Sequence, residues 1–248
     1  MDYTGKALTA VNYTLHEDKP EMTLKTSTPR MIEIKNIENQ ETFEEVYLDD
    51  DMKMISGKWA DTEKTPGVAK ARWVLRGFEE RAAKDDCYAA TASLVAVRLI
   101  LVWMLVARAK FPDITLFLGD MKGAFLNALM KDGEVVIAQP PPEWQPTKLK
   151  ASFQRVVWKL RKALYGLRTS PKRWQDFFGE ILKKMGFESH PHDACVYIKK
   201  VGESVVMLCC HVDDLLVAGR RDDVKDIFEE LKRKVDVTYK EVTGGTTY

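Results

Sequence analysis

Three carboxylates could do metal chemistry in this chain. Asp213 and Asp214 sit at the tip of an apolar hairpin: an apolar run enters the pair and LLVAG leaves it. Adjacent carboxylates repel, and desolvating them is costly unless a cation compensates. Asp is also a common turn residue, so the pair alone does not separate metal binding from a plain exposed turn. Asp120 adds weight to metal binding. It ends a second apolar run, 93 residues before Asp213. If the two runs are neighbouring strands, the carboxylates share one rim. They could then hold two Mg²⁺ ions roughly 3.5–4 Å apart, the arrangement used for phosphoryl transfer. Hard oxygen ligands suit Mg²⁺, which also keeps waters and substrate phosphates. One ion would activate an attacking hydroxyl and the other would neutralise a leaving pyrophosphate.

The elements that must position them can be read from periodicity. Ile114–Asp120 reads as a strand with Ile114, Leu116, Leu118 and Asp120 on one face. Val205–Cys210 and Leu215–Ala218 read as strands joined by a tight turn over His211–Asp214. Residues 92–110 read as a buried helix, with Leu94, Val97, Leu101 and Leu105 at helical spacing and Phe111-Pro112 ending it. Met121–Met130 suits a short helix. Pro171–Met185 suits a longer one, with Trp174, Phe177, Phe178, Ile181 and Leu182 on its apolar face and Gly186 as its stop. Asp223–Lys234 reads as a final amphipathic helix. Lys70–Phe78 reads as a strand with alternating basic residues, residues 139–146 as an extended loop, and Val156–Gly166 stays undetermined. Helices and strands mix without a βαβα beat, so the class is α+β.

Composition narrows the setting. The chain has 248 residues, 45% hydrophobic and 30% charged, enough for one large core or two modest ones. Four cysteines are too few for a disulfide framework at this length, which points to a reduced, intracellular protein. The N-terminal residues have no signal-peptide pattern. The longest unbroken apolar run, Leu99–Ala107, is far short of the ~20 residues of a membrane helix. Residues 1–56 carry 12 acidic and 6 basic side chains, against 25 and 32 in the remainder. They read as a weakly ordered acidic leader, with the folded domain spanning 57–248. Nine basic residues from Lys148 to Arg173 (Lys148, Lys150, Arg155, Lys159, Arg161, Lys162, Arg168, Lys172 and Arg173) lie with no acid between Glu143 and Asp176, interleaved with Trp158, Tyr165 and Trp174. That pattern suits phosphates and stacked bases, and equally a solvated face over buried aromatics. His190, His192, Asp193 and Cys195 have ligand chemistry but match no common zinc spacing.

Ordered blocks then resemble one family, the reverse transcriptases of copia-type LTR retrotransposons. Asp120-Met-Lys-Gly-Ala-Phe-Leu-Asn127 resembles D-V-K-T-A-F-L-N, and His211-Val-Asp-Asp-Leu-Leu216 resembles Y-V-D-D-L-L. Ala163-Leu-Tyr-Gly-Leu-Arg-Thr-Ser-Pro-Lys-Arg-Trp174 is similar to A-L-Y-G-L-K-Q-S-P-R-x-W, and Lys70-Ala-Arg-Trp-Val-Leu-Arg-Gly-Phe78 to K-A-R-L-V-A-K-G-F. Gln139-Pro140 and Asp193-Ala-Cys-Val-Tyr197 echo two further blocks. The order is the family's own, over roughly residues 57–235.

The resemblance implies a right-hand polymerase with fingers and palm, the palm having a ferredoxin-like core and the thumb largely missing. It implies an RNA-directed and DNA-directed DNA polymerase that joins dNTPs to a primer on an RNA or DNA template, with two Mg²⁺ (Mn²⁺ as an alternative), in cytoplasmic particles. By carry-over, Asp120, Asp213 and Asp214 are the catalytic metal ligands, with Asp214 less direct. Lys70 and Arg72 hold the triphosphate. Phe125 is the steric gate against a ribose 2′-OH, although core packing fits it as well. Tyr165 and Gly166 support the nucleotide. Arg168, Lys172, Arg173 and His211 contact nucleic acid. The match departs at His211, where the family has tyrosine, at Gly123 and Ala128, and over Asp85–Ser93. The departures leave a second reading, an inactive retrotransposon remnant that at most binds nucleic acid. A two-metal nuclease would use the same carboxylates without needing Phe125 or the LYGLRTSPKRW block.

Overall fold

A computed structural model of the chain describes residues 23–66, 68–80, 87–147 and 154–243, with side chains at 64 and 65 and before 28 left aside. The element that carries Asp120 is β5 (Ile114–Met121), an interior strand of a six-stranded sheet. Its neighbour β11 (Asp214–Arg220) returns from β10 (Ser204–His211), and the two form the expected hairpin. β9 (Asp193–Val201) and β8 (Glu188–His190) extend the sheet on that side, and β12 (Val237–Glu241) closes the other. The order is β12-β5-β11-β10-β9-β8, with every neighbouring pair antiparallel.

Period-two alternation sends the two faces of this sheet into different cores. Phe117 and Met121 of β5 join Leu208, Leu215 and Val217 beneath α3 (Ser170–Lys184) and α4 (Arg221–Lys232), which bring Trp174, Phe178, Leu182, Val224, Phe228 and Leu231. Gly119 is required there: a Cβ would lie 2.9 Å from the Phe228 ring and 3.2 Å from Leu215. Ile114, Leu116, Cys209 and Leu216 face α2 (Leu94–Ala107), whose Ser93 cap accepts from the Ala96 amide. α2 is not wholly buried. Its inner stripe is Ala96, Ile100 and Met104, whereas Leu94, Val95, Leu99, Val102, Leu105 and Val106 are exposed. A helix apolar all round carries no period to say which face turns inward, so the sequence does not tell exposed Leu94 and Leu105 from the inner stripe.

The leader expected over residues 1–56 is corrected. Residues 1–22 lie outside the described ones, but α1 (Thr23–Asn39), β1 (Phe43–Tyr47) and β2 (Met54–Ile55) are built into the fold. Ile34 and Ile37 are buried with Trp73, Trp144 and Trp158. β1 pairs with β7 (Val156–Leu160), which continues through β6 (Ile137–Ala138) to β2. The strands are short and the helix holds only two buried isoleucines, so no long period marks them in sequence. β3 (Gly57–Thr65) and β4 (Val68–Leu75) form a separate hairpin against which α1 packs. Between β5 and β6 the short helix expected over Met121–Met130 is a single 3-10 turn, Ala124–Asn127, entered through Gly123 at φ +59°. The mixed α+β class stands. Among the described residues no helix is long and apolar enough to cross a membrane.

Candidate active site

Register, rather than side-chain contact, brings the carboxylates together. β11 runs against β5 so that Asp214 lies directly opposite Asp120, and the Met121 amide donates to the Asp213 carbonyl at 2.8 Å. Residues opposite each other in an antiparallel pair share a face with Cβ atoms about 4.5–5.5 Å apart. Asp120 and Asp214 are exposed and Asp213 is half-buried. Among the described residues no hydrogen bond or ion pair holds the Asp120 or Asp213 carboxylate. Lys122, close in sequence, pairs with Asp236 at 3.6 Å instead.

The hairpin tip is fixed from behind. Val212 sits at φ +57°, a conformation that a β-branched residue rarely adopts. Trp174 of α3 donates its indole N–H to the Val212 carbonyl at 2.6 Å, so the helix on the far face of the sheet holds the turn. The sequence marks Trp174 as apolar but carries no sign of this hydrogen bond. His211 is exposed beside it, across from Asp214.

A second group of candidates forms a stack. The Arg72 guanidinium of β4 lies 5.3 Å from the Tyr165 ring centroid, and Tyr165 meets Phe125 edge-on at 5.9 Å. The charge of Asp213 is also felt at Tyr165. Burial pushes its phenol up to about 12, with Glu33 adding to the shift and Arg72 opposing it. Phe125 is half-buried, partly packed against the main core and partly against Tyr165. Arg72 is half-buried and Lys70, further along β4, is exposed.

The profile described as "Reverse transcriptase (RNA-dependent DNA polymerase)" matches residues 40–243. The chain belongs to the reverse transcriptase family. It is 28% identical over 196 residues, 76% of its length, to the Retrovirus-related Pol polyprotein from transposon TNT 1-94 of Nicotiana tabacum. It is 33% identical over 154 residues, 60% of its length, to the corresponding polyprotein from transposon RE1 of Arabidopsis thaliana. These relatives are of the copia type that the motifs suggested. The chain spans only 14% and 10% of the two polyproteins. A telomerase structure from Candida albicans aligns with 89% of this chain and 48% of its own at 10% identity and a TM-score of 0.39, a likeness too slight to bear on the site.

Within this reverse transcriptase domain several expected contacts fall elsewhere. Gly166 does approach a backbone closely, but the backbone is the protein's own. At φ +88° its Cβ would lie 2.1 Å from the Leu75 carbonyl of β4, and the Leu75 amide donates to the Tyr165 carbonyl at 2.8 Å. Arg173 is buried; its guanidinium pairs with Glu134 and its Nε donates to Thr169 at 3.2 Å. Its guanidinium is thus turned toward Glu134 inside the fold rather than toward solvent. Trp158 and Trp174 are core residues, so neither is a stacking platform. Lys159 and Arg161 pair with Glu44 of β1 at 2.9 and 3.1 Å, and Lys172 pairs with Asp176. Arg155 and Arg168 are exposed, while Lys148 and Lys150 lie outside the described residues. The basic run is acid-free in sequence, yet the fold supplies its acids from elsewhere.

Sequence reading also missed a buried carboxylate. Glu80 accepts from the Arg168 amide at 2.5 Å and the Thr169 hydroxyl at 2.6 Å, clamping the turn that carries Tyr165 to the end of the β3–β4 hairpin. Glu79 beside it accepts from the Ser56 amide and hydroxyl. Nothing local distinguishes these glutamates from solvated ones. Among the described residues no three His, Cys, Asp or Glu side chains gather tightly enough to hold an ion between them, the His190–Cys195 stretch included. Cys87, Cys195, Cys209 and Cys210 form no disulfide, and burial pushes the Cys195 and Cys209 thiols up to about 11.

Proposed function

We propose that this domain is the fingers and palm of a copia-type polymerase, extending a primer with dNTPs on an RNA or DNA template. The observation that carries the proposal is the pairing of Asp120 with Asp214, next to Asp213, at one end of a central strand pair. The strand order supports the palm. In β5-α3-β10-β11-α4-β12 the strands stand as β12-β5-β11-β10, the arrangement of a ferredoxin-like βαββαβ unit. The β3–β4 hairpin, with Lys70 and Arg72, would be the fingers.

The carboxylates fit divalent cations in donor type and adjacency. They offer only hard oxygens, lie on neighbouring strands, and among the described residues no cation pairs with Asp120 or Asp213. They are not drawn into a single three-ligand set, so their side-chain rotamers, which the fold leaves unrestrained at Asp120 and Asp213, would set the final coordination. Asp120 and Asp213 would hold Mg²⁺, with Asp214 assisting. When bound, the ions lower the pKa of the primer hydroxyl and neutralise charge on the pyrophosphate.

The remaining work falls to the chain itself. Arg72 presents a planar fork to phosphate oxygens, with its flat face kept against Tyr165. Phe125, braced by Tyr165, would lie under the sugar and exclude a 2′-OH by contact. Exposed Arg168 would meet backbone phosphate, and exposed His211 the primer end.

The test is primer extension on poly(rA)/oligo(dT) with Mg²⁺ and dTTP, beside an Asp213→Asn control. Extension that the control loses supports the reading. Template–primer binding without extension would favour an inactive remnant. In an active protein, Phe125→Val is expected to admit ribonucleotides. An unchanged dNTP/rNTP preference would make Phe125 a core residue only.

A further inference from the structure

Phe78, at 78% exposure, is the most exposed large apolar side chain among the described residues. A lone exposed apolar residue is ordinary and needs no account. The turn that carries this one sets it apart. Phe78 is the middle residue of the 3-10 turn Gly77–Glu79, which follows β4. The residues on either side of it are tied to two different parts of the fold. The Arg76 amide donates to the Ser56 carbonyl at 2.9 Å, and Glu79 accepts from the Ser56 amide at 2.7 Å and the Ser56 hydroxyl at 2.8 Å. Glu80 holds the Arg168 amide and the Thr169 hydroxyl, and a Cβ on Gly77 would lie 2.2 Å from the Gly166 carbonyl oxygen. Gly77 and Glu80 are buried, so the anchored backbone fixes where the ring emerges into water. The ring stands among cations. By period two Lys70, Arg72 and Arg76 share the outer face of β4 and its end, opposite buried Ala71, Trp73 and Leu75. Arg76 and Arg168 are exposed, and the Arg168 Cγ lies 3.2 Å from where a Gly77 Cβ would stand. Each carboxylate oxygen of Glu79 and Glu80 already accepts from an amide or a hydroxyl.

An exposed aromatic face flanked by guanidinium groups suits a single nucleic-acid strand. The ring stacks on any base, and the cations meet the phosphates. We propose that Phe78 stacks on the first template base beyond the pair made by the incoming nucleotide, with Arg76 and Arg168 on the adjoining phosphates. This rests on the reading of Arg72 and Tyr165 given under Proposed function. β4 carries Arg72 and the 164–170 turn carries Tyr165, and the platform is built from the same two segments a few residues further on. A template strand that runs past the nucleotide held there presents an unpaired base with an open face. A ring on an anchored turn takes that base at little ordering cost.

The experiment measures binding of the whole chain, by fluorescence anisotropy, to a dideoxy-terminated primer with the next dNTP present, so that no turnover is needed. One RNA template ends at the base that pairs with that dNTP. A second runs on for several nucleotides, and a third does so but lacks the first base beyond the pair. The parent protein is expected to bind the second template roughly tenfold more tightly than the other two, the scale of one base–aromatic stack. Phe78→Ala should bring that preference within about twofold while leaving the first template's affinity and the melting temperature unchanged, because the side chain is exposed. Phe78→Trp should keep the preference, and Phe78→Leu, apolar but without a ring, should lose it. A parent that binds all three templates alike, a Phe78→Ala protein that keeps the preference or loses affinity equally for all three, or a Phe78→Leu protein that keeps the preference overturns the inference and leaves the polymerase reading standing. If the parent binds none of the templates, the polymerase reading falls and the inference with it.

Discussion

The carboxylate hairpin and the turn carrying Tyr165 are held in opposite ways. Asp120 and Asp214 are placed by strand register, and no described side chain restrains Asp120 or Asp213. The 164–170 turn is tied by side chains beyond its backbone bond from the Leu75 amide: Glu80 on the Arg168 amide and Thr169 hydroxyl, and the Ser170 hydroxyl on the Leu164 carbonyl at 2.7 Å. A backbone-held site can lose its functional groups without losing its shape. A side-chain-held site cannot, because the groups that make the shape are the ones removed.

The sharpest test of that contrast is Asp120→Asn. Incorporation is expected to fall to background while the melting temperature stays level or rises, since like charges facing each other are relieved. A large loss of stability would show that the carboxylate does structural work after all. Glu80→Ala should do the reverse. It removes two hydrogen bonds to a buried charged group, costing about 3 kcal/mol and lowering the melting temperature by about 6–12 °C. Activity should fall only as far as the turn carrying Tyr165 is displaced, and a Glu80→Ala protein as stable as the parent would break the comparison. The smallest effect is expected at Trp174→Phe, where the two modes meet. Losing the N–H donor to the Val212 carbonyl should cost about 1 kcal/mol. Faster amide exchange at the hairpin tip would be the signature, and unchanged exchange would mean that the register alone holds Val212 in place.

Much of the site was legible because its groups lie on periodic elements. Ile114, Leu116, Leu118 and Asp120 alternate as read, and the DD pair sits at a hairpin tip as read. Arg173 was not legible. A basic residue on an amphipathic helix looks the same whether it meets water or a glutamate 39 residues away. Gly166 announced a close approach correctly but could not say to what. The exposed stripe of α2 was illegible for the opposite reason, since Leu, Val and Ile occupy every face and no contrast remains to read.

The sequence by itself determined three strands of the six-stranded sheet, β5, β10 and β11, the helices packed on it, the chemistry available at its end and, through ordered motifs, the family. Only the tertiary structure decided that Asp120 faces Asp214 across 94 residues of chain, that α1 packs against β4, and that Lys159, Arg161, Lys172 and Arg173 of the basic run pair with acids. The division has a physical cause. Local periodicity reports which face of an element avoids water, because that depends on the element alone. Which partner meets that face depends on shape and charge contributed from distant parts of the chain, and no local pattern records them.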